Sequence, residues 1–225
     1  MRRSEINSAI RTMMQFARER GFALPAFSYW TPAHWAQAGA EHDEIRLARL
    51  GWDVTDFGKG DFAREGLTLL TIRNGIPGSR GSKPYCEKLM LVGEGQVTPM
   101  HFHWSKTEDI INRGGGNLVC KLYAAGRQEQ LSDEPVHVNS DGTLQEVPAG
   151  TELTIVPGAS ITLTPYLYHA FWGAPGHGPV LVGEVSSVND DERDNRFLEP
   201  LPRFPAIEED EPPLHLLCHE YRPAV

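Results

Sequence analysis

The chain is short of the features that mark several large functional classes. Its 225 residues hold three cysteines, Cys86, Cys120 and Cys218. That number is odd, the spacing is wide and no CxxC pair occurs, which argues against a disulfide framework and against a cysteine-zinc centre. Reduced thiols in a cytosolic protein are the simplest account. No run approaches the ~20 apolar residues needed to cross a bilayer, and Met1-Arg-Arg-Ser-Glu5 opens on charge instead of a secretory apolar core. Lys and Arg number 21 against 30 Asp and Glu, a formal net charge of −9, whereas a nucleic-acid binder needs a basic patch to displace phosphate counterions. Neither an internal repeat nor a low-complexity linker divides the chain. What remains is a soluble, cytoplasmic protein acting on a small molecule, with neither nucleic acid nor membrane as partner.

Apolar residues make up 40% of the sequence, and a chain of this length can hide roughly 70% of its unfolded surface. One domain over residues 1–225 is expected, with a helical segment over 1–60, a β-rich body over 65–200 and an extended tail over 201–225. Ser4 can cap a helix in which Ile6, Ile10, Met13 and Ala17 recur at helical spacing, and Gly21 and Pro25 supply its stop. Thr31-Pro32 predicts the start of a second short helix. After about residue 65, short runs rich in Val, Ile, Leu and Thr alternate with Gly, Pro, Asn and Asp, the punctuation of an all-β sandwich or barrel. Strands are expected near Leu67–Arg73, Glu87–Gly93, Val97–His103, Asn117–Ala125, Glu152–Val156, Ser160–Leu163, Tyr168–Phe171 and Val180–Val185. The acidic, turn-rich stretches at 187–195 and 207–213, and the five prolines between Pro200 and Pro213, predict a tail that wraps the surface.

One stretch carries chemistry: Gly95-Gln-Val-Thr-Pro-Met-His101-Phe-His103-Trp-Ser-Lys106-Thr-Glu108. Residues two apart on a strand share a face, so His101 and His103 present two imidazoles side by side. Glu108 follows five residues later, far enough for a turn to return a carboxylate to them. His169, in a late strand-like run after Pro165, is the best candidate for a fourth ligand. Three nitrogens and one oxygen leave positions open on a six-coordinate Mn, Fe, Co, Ni or Zn ion. An isolated His-x-His arises by chance, but Gly95, five residues, His101-x-His103, four residues, Glu108, six residues and Gly115 resembles the first motif of the cupin superfamily. That resemblance implies a cupin β-barrel, or jelly roll. The second motif departs from the family, offering Pro165-x-x-x-His169 without its glycine.

The local wording is narrower still. His101-Phe-His-Trp-Ser-Lys-Thr-Glu-Asp-Ile-Ile-Asn-Arg-Gly-Gly-Gly116, Gly183-Glu-Val-Ser-Ser-Val-Asn-Asp-Asp191, the 88–96 segment and Asn195-Arg-Phe-Leu-Glu-Pro200 resemble the D-lyxose isomerase family. The resemblance implies a manganese-dependent ketol-isomerase converting D-lyxose to D-xylulose and D-mannose to D-fructose, with the ion on His101, His103, Glu108 and His169, and a homodimer. An aldose and its ketose differ by hydrogen moved between C1 and C2, which needs a base for the C2 proton and a donor near the carbonyl oxygen. Glu184, closing an otherwise apolar strand, is the expected base, although a salt-bridged strand-end glutamate would read the same way. Lys106, between two ligands, and Lys88, on an apolar strand, are expected to meet sugar oxygens or offset enediolate charge. An edge-strand lysine is the plain alternative for Lys88.

Asp190 and Arg193 are candidates for sugar hydroxyls, against a solvated charge run. Trp30, Trp104 and Trp172 could form a flat face under the sugar, against simple core packing. Arg113-Gly-Gly-Gly116 predicts a tight turn. Two rivals share the same site: a non-haem iron dioxygenase and a sugar-binding cupin without turnover.

Overall fold

A computed structural model describes residues 1–202 and 204–223 of the chain; positions 203, 224 and 225 of the expected tail lie outside the described residues. The first helix, α1 (Arg3–Glu19), buries Ile6, Ile10, Met13 and Ala17 on one stripe. It ends as its glycine predicts: Gly21 takes φ +69, and the Gly21 and Phe22 amides donate to the Arg18 and Ala17 carbonyls at 3.0 and 2.9 Å, a Schellman cap. Its start differs from expectation. Arg2 is the N-cap and its amide donates to the Glu5 carboxylate, while the Ser4 hydroxyl donates to Asp210 in the tail. Thr31 does cap α2 (Pro32–Gln37), and α3 (Asp43–Leu47) follows. No helix among the described residues is long and apolar enough to cross a membrane.

The rest is antiparallel sheet. In chain order the strands are β1 (Gly51–Thr55), β2 (Leu67–Arg73), β3 (Tyr85–Val92), β4 (Thr98–Phe102), β5 (Glu108–Gly115), β6 (Leu118–Ala124), β7 (Val136–Ser140), β8 (Thr143–Val147), β9 (Glu152–Ile155), β10 (Ser160–Leu163), β11 (Leu167–Gly173), β12 (Val180–Ser187) and β13 (Arg196–Phe197). They form a large sheet ordered β1-β2-β3-β12-β5-β10-β7-β8 and a smaller one ordered β13-β4-β11-β6-β9. Period-two alternation divides their side chains. Leu69, Met90, Ile110 and Val182 from the large sheet pack against Leu118, Leu122, Ile155 and Phe171 from the small one. The neighbouring positions Leu70, Leu89, Leu91 and Leu181 face the other way and pack under the α1 stripe with Trp52 and Val54. That is why β2, β3 and β12 read as near-continuous apolar runs.

The all-β, jelly-roll class with an N-terminal helix matches the expectation, although the two sheets stay open instead of closing one barrel. Strands β1, β5, β7, β8 and β13 lie outside the predicted set. The expected tight turn at Arg113–Gly116 is mostly strand: β5 runs to Gly115, and Arg113 is the extra residue of a bulge, since Asn112 opposes Val182 and Gly114 opposes Leu181. Gly114 and Gly115 adopt φ +124 and +102 there, so the glycines serve the bulge and the strand end. The tail does wrap the body, with bridges from Glu208 to Arg2 and from Leu217 to Trp52.

Candidate metal centre and active site

β4 and β11 are neighbours in the small sheet, and their register sets His169 directly opposite His101. His103 follows one residue beyond the end of β4. The imidazole centroids are 4.1 Å apart for His101 and His169 and 5.2 Å for His101 and His103. Each ring is oriented by a backbone carbonyl: Nδ1 lies 2.7 Å from Pro99 O in His101, 2.7 Å from Asp194 O in His103 and 3.0 Å from Leu167 O in His169. A carbonyl oxygen can only accept, so each Nδ1 carries the proton and each Nε2 presents a lone pair. The three buried rings bring one nitrogen each within 4.8 Å of the others and could hold a metal ion.

Glu108, the first residue of β5, closes this group. Its Oε1 lies 3.3 Å from His103 Nε2 and 3.1 Å from His169 Nε2. Burial pushes the Glu108 carboxyl upward, but the Lys106 ammonium group outweighs it and holds the carboxyl well below the usual carboxylate range. Burial, then His169 and His103, push His101 well below the usual imidazole range, so it stays neutral. An ionised carboxylate therefore faces unprotonated nitrogens, and His169 Nε2 is buried without a hydrogen-bond partner. Such a set of acceptors around one point repels itself unless a cation lies between them. Three imidazole nitrogens and one carboxylate oxygen fit a divalent first-row ion.

A second layer of charge adjoins the first. Lys106 Nζ lies 2.7 Å from Glu108 Oε2 and 2.9 Å from Glu184 Oε1. Glu184 sits on β12 opposite Lys88 on β3, and Lys88 Nζ is 3.4 Å from Glu184 Oε1 and 3.6 Å from Asp191 Oδ1. Burial alone would lower both lysines. The neighbouring carboxylates win, Glu108 and Glu184 for Lys106, and Asp191 and Glu184 for Lys88, so both are raised and remain ammonium ions. Asp194 accepts the Ser105 and Lys106 amides, both at 2.9 Å. Glu108, Glu184, Asp191 and Asp194 against Lys88 and Lys106 leave two negative charges, which a divalent cation would balance.

The cleft is small, about 50 Å³. Lys88, Lys106, Glu184, Asp191 and Asn195 line it opposite an apolar wall that includes Phe57, Phe171 and Phe197. The structure thus brings together seven of the expected residues: His101, His103, His169, Glu108, Lys106, Lys88 and Glu184. Trp30 lies elsewhere, edge-on to Trp35 and His42 at 5.0 and 4.7 Å. Trp104 packs on Phe102 and donates its indole N–H to Glu129, and Trp172 pairs with Val119 on β6. Asp190 and Arg193 line a groove with the 76–84 loop outside this cleft. The sequence reading missed Asn189, Asp191 and Asp194, which sit in the same polar run as its candidates Asp190 and Arg193, and the aromatic wall. A polar run directly after the strand that carries Glu184 was the available signal.

Set beside known proteins, the chain matches the family model described as D-lyxose isomerase over residues 1–221. It is 53% identical to the D-lyxose/D-mannose isomerase of Serratia proteamaculans over 98% of both chains. It is 52% identical to that of Escherichia coli O157:H7 over 99% of both. Among solved structures it superposes on the L-ribose isomerase of Cellulomonas parahominis with a TM-score of 0.61, covering 92% of this chain and 98% of that one. At 18% identity this last likeness concerns the fold alone. The chain belongs to the D-lyxose isomerase family.

Proposed function

We propose that this sugar isomerase interconverts D-lyxose with D-xylulose and D-mannose with D-fructose, using one divalent ion, manganese, on His101, His103, His169 and Glu108. The observation that carries the reading is the buried Lys106–Glu184 pair beside the three histidines, at 2.9 Å: a carboxylate and an ammonium group next to a cation site. The names borne by the Serratia and Escherichia relatives support the choice of sugars. When bound, the ion would polarise the sugar carbonyl and offset the negative charge that develops as the C2 hydrogen leaves.

The chain's own groups do the rest. Glu184 takes the C2 proton and returns it to C1 while the O2 hydroxyl proton passes to O1; its hydrogen bonds from Lys106 and Ser186 both end on Oε1, and Oε2 is the oxygen assigned to the C2 proton. Lys106 and Lys88 stabilise the developing oxyanion. Phe57 and Phe197 stand against the apolar face of the sugar and exclude water from that side. No redox cofactor is needed, since hydrogen only moves within the substrate.

The test is an isomerisation assay on metal-stripped protein with and without added Mn²⁺, offering D-lyxose and D-mannose and following the ketose. Ketose formed only with metal is the expected result. Oxygen consumption without ketose, in protein that has bound metal, would instead point to oxygenase chemistry.

A further inference from the structure

Asn189 stands at the back of the charged layer and has no role in the chemistry above. Its Oδ1 lies 2.7 Å from Lys88 Nζ and 3.3 Å from Lys106 Nζ. An ammonium group only donates, so the amide oxygen, not the nitrogen, must face both lysines. The same two nitrogens also converge on Glu184 Oε1, at 3.4 and 2.9 Å. Two like charges brought to one place repel, more strongly where water is excluded. The two share one carboxylate oxygen and one amide oxygen, and Glu108 and Asp191 each hold one of them besides.

The backbone of Asn189 is itself fixed. Asn74, just past the end of β2, is buried; its Nδ2 donates to Asn189 O at 3.0 Å and its Oδ1 accepts the Asn189 amide at 3.0 Å. The Asn74 side chain thus pairs with Asn189 as a neighbouring strand would. Its Nδ2 also reaches Ala48 O at 3.2 Å. A buried side chain spanning two segments far apart in sequence is a placement of the 188–195 loop, and its effect is to aim one acceptor at two lysines.

We propose that Asn189 is a positioning residue: its single side-chain oxygen holds the Lys88 and Lys106 ammonium groups beside Glu184 without neutralising either, and Asn74 holds Asn189. Both ammonium groups already face carboxylates, Lys106 at Glu108 and Glu184 and Lys88 at Glu184 and Asp191. A further negative charge here would weaken their pull on a developing oxyanion, whereas an apolar residue would let them swing apart. The kinetic side of this inference rests on the isomerase reading.

Three variants, Asn189→Ala, Asn189→Asp and Asn74→Ala, test it against wild type. Metal-loaded protein is assayed for kcat and KM on D-lyxose and D-mannose, for bound Mn²⁺, and for acylation of Lys88 and Lys106 by an amine-reactive ester read by peptide mass. Asn189→Ala is expected to lower kcat about 10²-fold, the scale of a misplacement near 1 Å, with KM little changed because the contact matters in the transition state. Its metal content should equal wild type, and both lysines should acylate faster. Asn189→Asp, which keeps the acceptor, should keep the lysines protected and recover part of kcat. Asn74→Ala should fall between, and it carries the test if Asn189→Ala does not fold.

An unchanged kcat in Asn189→Ala would overturn the inference. So would loss of metal in step with activity, or an Asp variant whose lysines acylate as fast as those of the Ala variant. Wild-type protein that makes no ketose would sink the isomerase reading instead, and the acylation rates would still decide whether Asn189 places the lysines.

Discussion

His169 Nε2 lies 3.1 Å from Glu108 Oε1, and the carbonyl of Leu167 holds the ring's proton on the other nitrogen. Two acceptors in buried contact are unfavourable until a cation or a proton comes between them, so metal should be a folding ligand as well as a chemical one. At a free metal concentration 100 times its dissociation constant the gain is about 2.7 kcal/mol. For a chain of this length that is a rise of roughly 5–10 °C in melting temperature. Calorimetry of chelator-treated protein across an Mn²⁺ titration measures it. His103→Ala should lose the metal-dependent shift together with activity, and a shift that survives the substitution would remove His103 from the ligand set.

Glu184→Gln keeps the shape of the side chain and removes the base. Bound Mn²⁺ should be unchanged and turnover should fall by at least the 10²–10⁴-fold typical of a general base. Exchange of the C2 hydrogen of D-mannose with solvent deuterium, followed by NMR, should stop as well. Turnover near wild type would hand the base role to another group.

Lys106 bridges Glu108 and Glu184, and its side chain is 2% exposed. Lys106→Met leaves both carboxylates without their common partner, and breaking a buried pair from one side costs about 3–5 kcal/mol. Urea unfolding of metal-free protein should show a loss of that size. Adding Glu184→Gln in the same chain should restore part of it, because one of the two uncompensated charges is then gone. A double variant no more stable than Lys106→Met would mean that the loss comes from packing and not from charge.

How far these groups could be seen in advance depended on sequence distance. His101, His103 and Glu108 lie within one turn-and-strand unit, so spacing alone places them together. His169 was reachable because a strand-like run flanked it, and β11 does pair with β4. Glu184 and Lys88 could be singled out as charges on apolar strands, a costly arrangement without partners. Asn189, Asp191 and Asp194 were not legible: in a loop, no periodicity separates an inward polar residue from a solvated one, and the burial of Asn189 and Asp194 follows from long-range packing against Asn74 and the 103–106 turn. Trp30 failed for the opposite reason, since an aromatic residue that suits a sugar equally suits Trp35 and His42. The two-residue strand β13 lacked length.

Arg3 ties the two ends of the chain together. Its side chain is 1% exposed and it pairs with Glu209 and Glu220, while Asn7 holds Glu211 and the Pro212 carbonyl. Arg3→Met keeps much of the buried stem and removes the charge, leaving Glu220 partly buried without its partner. A loss on the order of 3 kcal/mol is expected, with faster proteolysis of the 207–221 segment and unchanged metal affinity. Protease resistance equal to wild type would show that the tail is held by its apolar contacts, such as Leu217 on Trp52, without the ion pairs.

His215 supplies a pH dependence away from the metal. It is buried in the tail and its Nδ1 donates to the Trp30 carbonyl at 2.9 Å. Burial, reinforced by Arg11 and opposed by that carbonyl, holds the imidazole below its usual value near 6.5. In the unfolded chain the group takes up a proton near pH 6.5, whereas in the folded protein it resists until lower pH. The unfolded state therefore binds more protons in that window, and stability must fall as pH drops below about 6.5 toward the folded value. One such group changes stability by at most about 1.4 kcal/mol per pH unit. The comparison that isolates His215 is wild type against His215→Gln, both loaded with Mn²⁺, unfolded in urea between pH 5 and 8. The variant should be less stable at pH 8, where the neutral ring packs best, and its stability should fall less steeply below pH 6.5. Parallel curves would mean that the folded protein accommodates the protonated ring, with the tail moving off Trp30 to admit water.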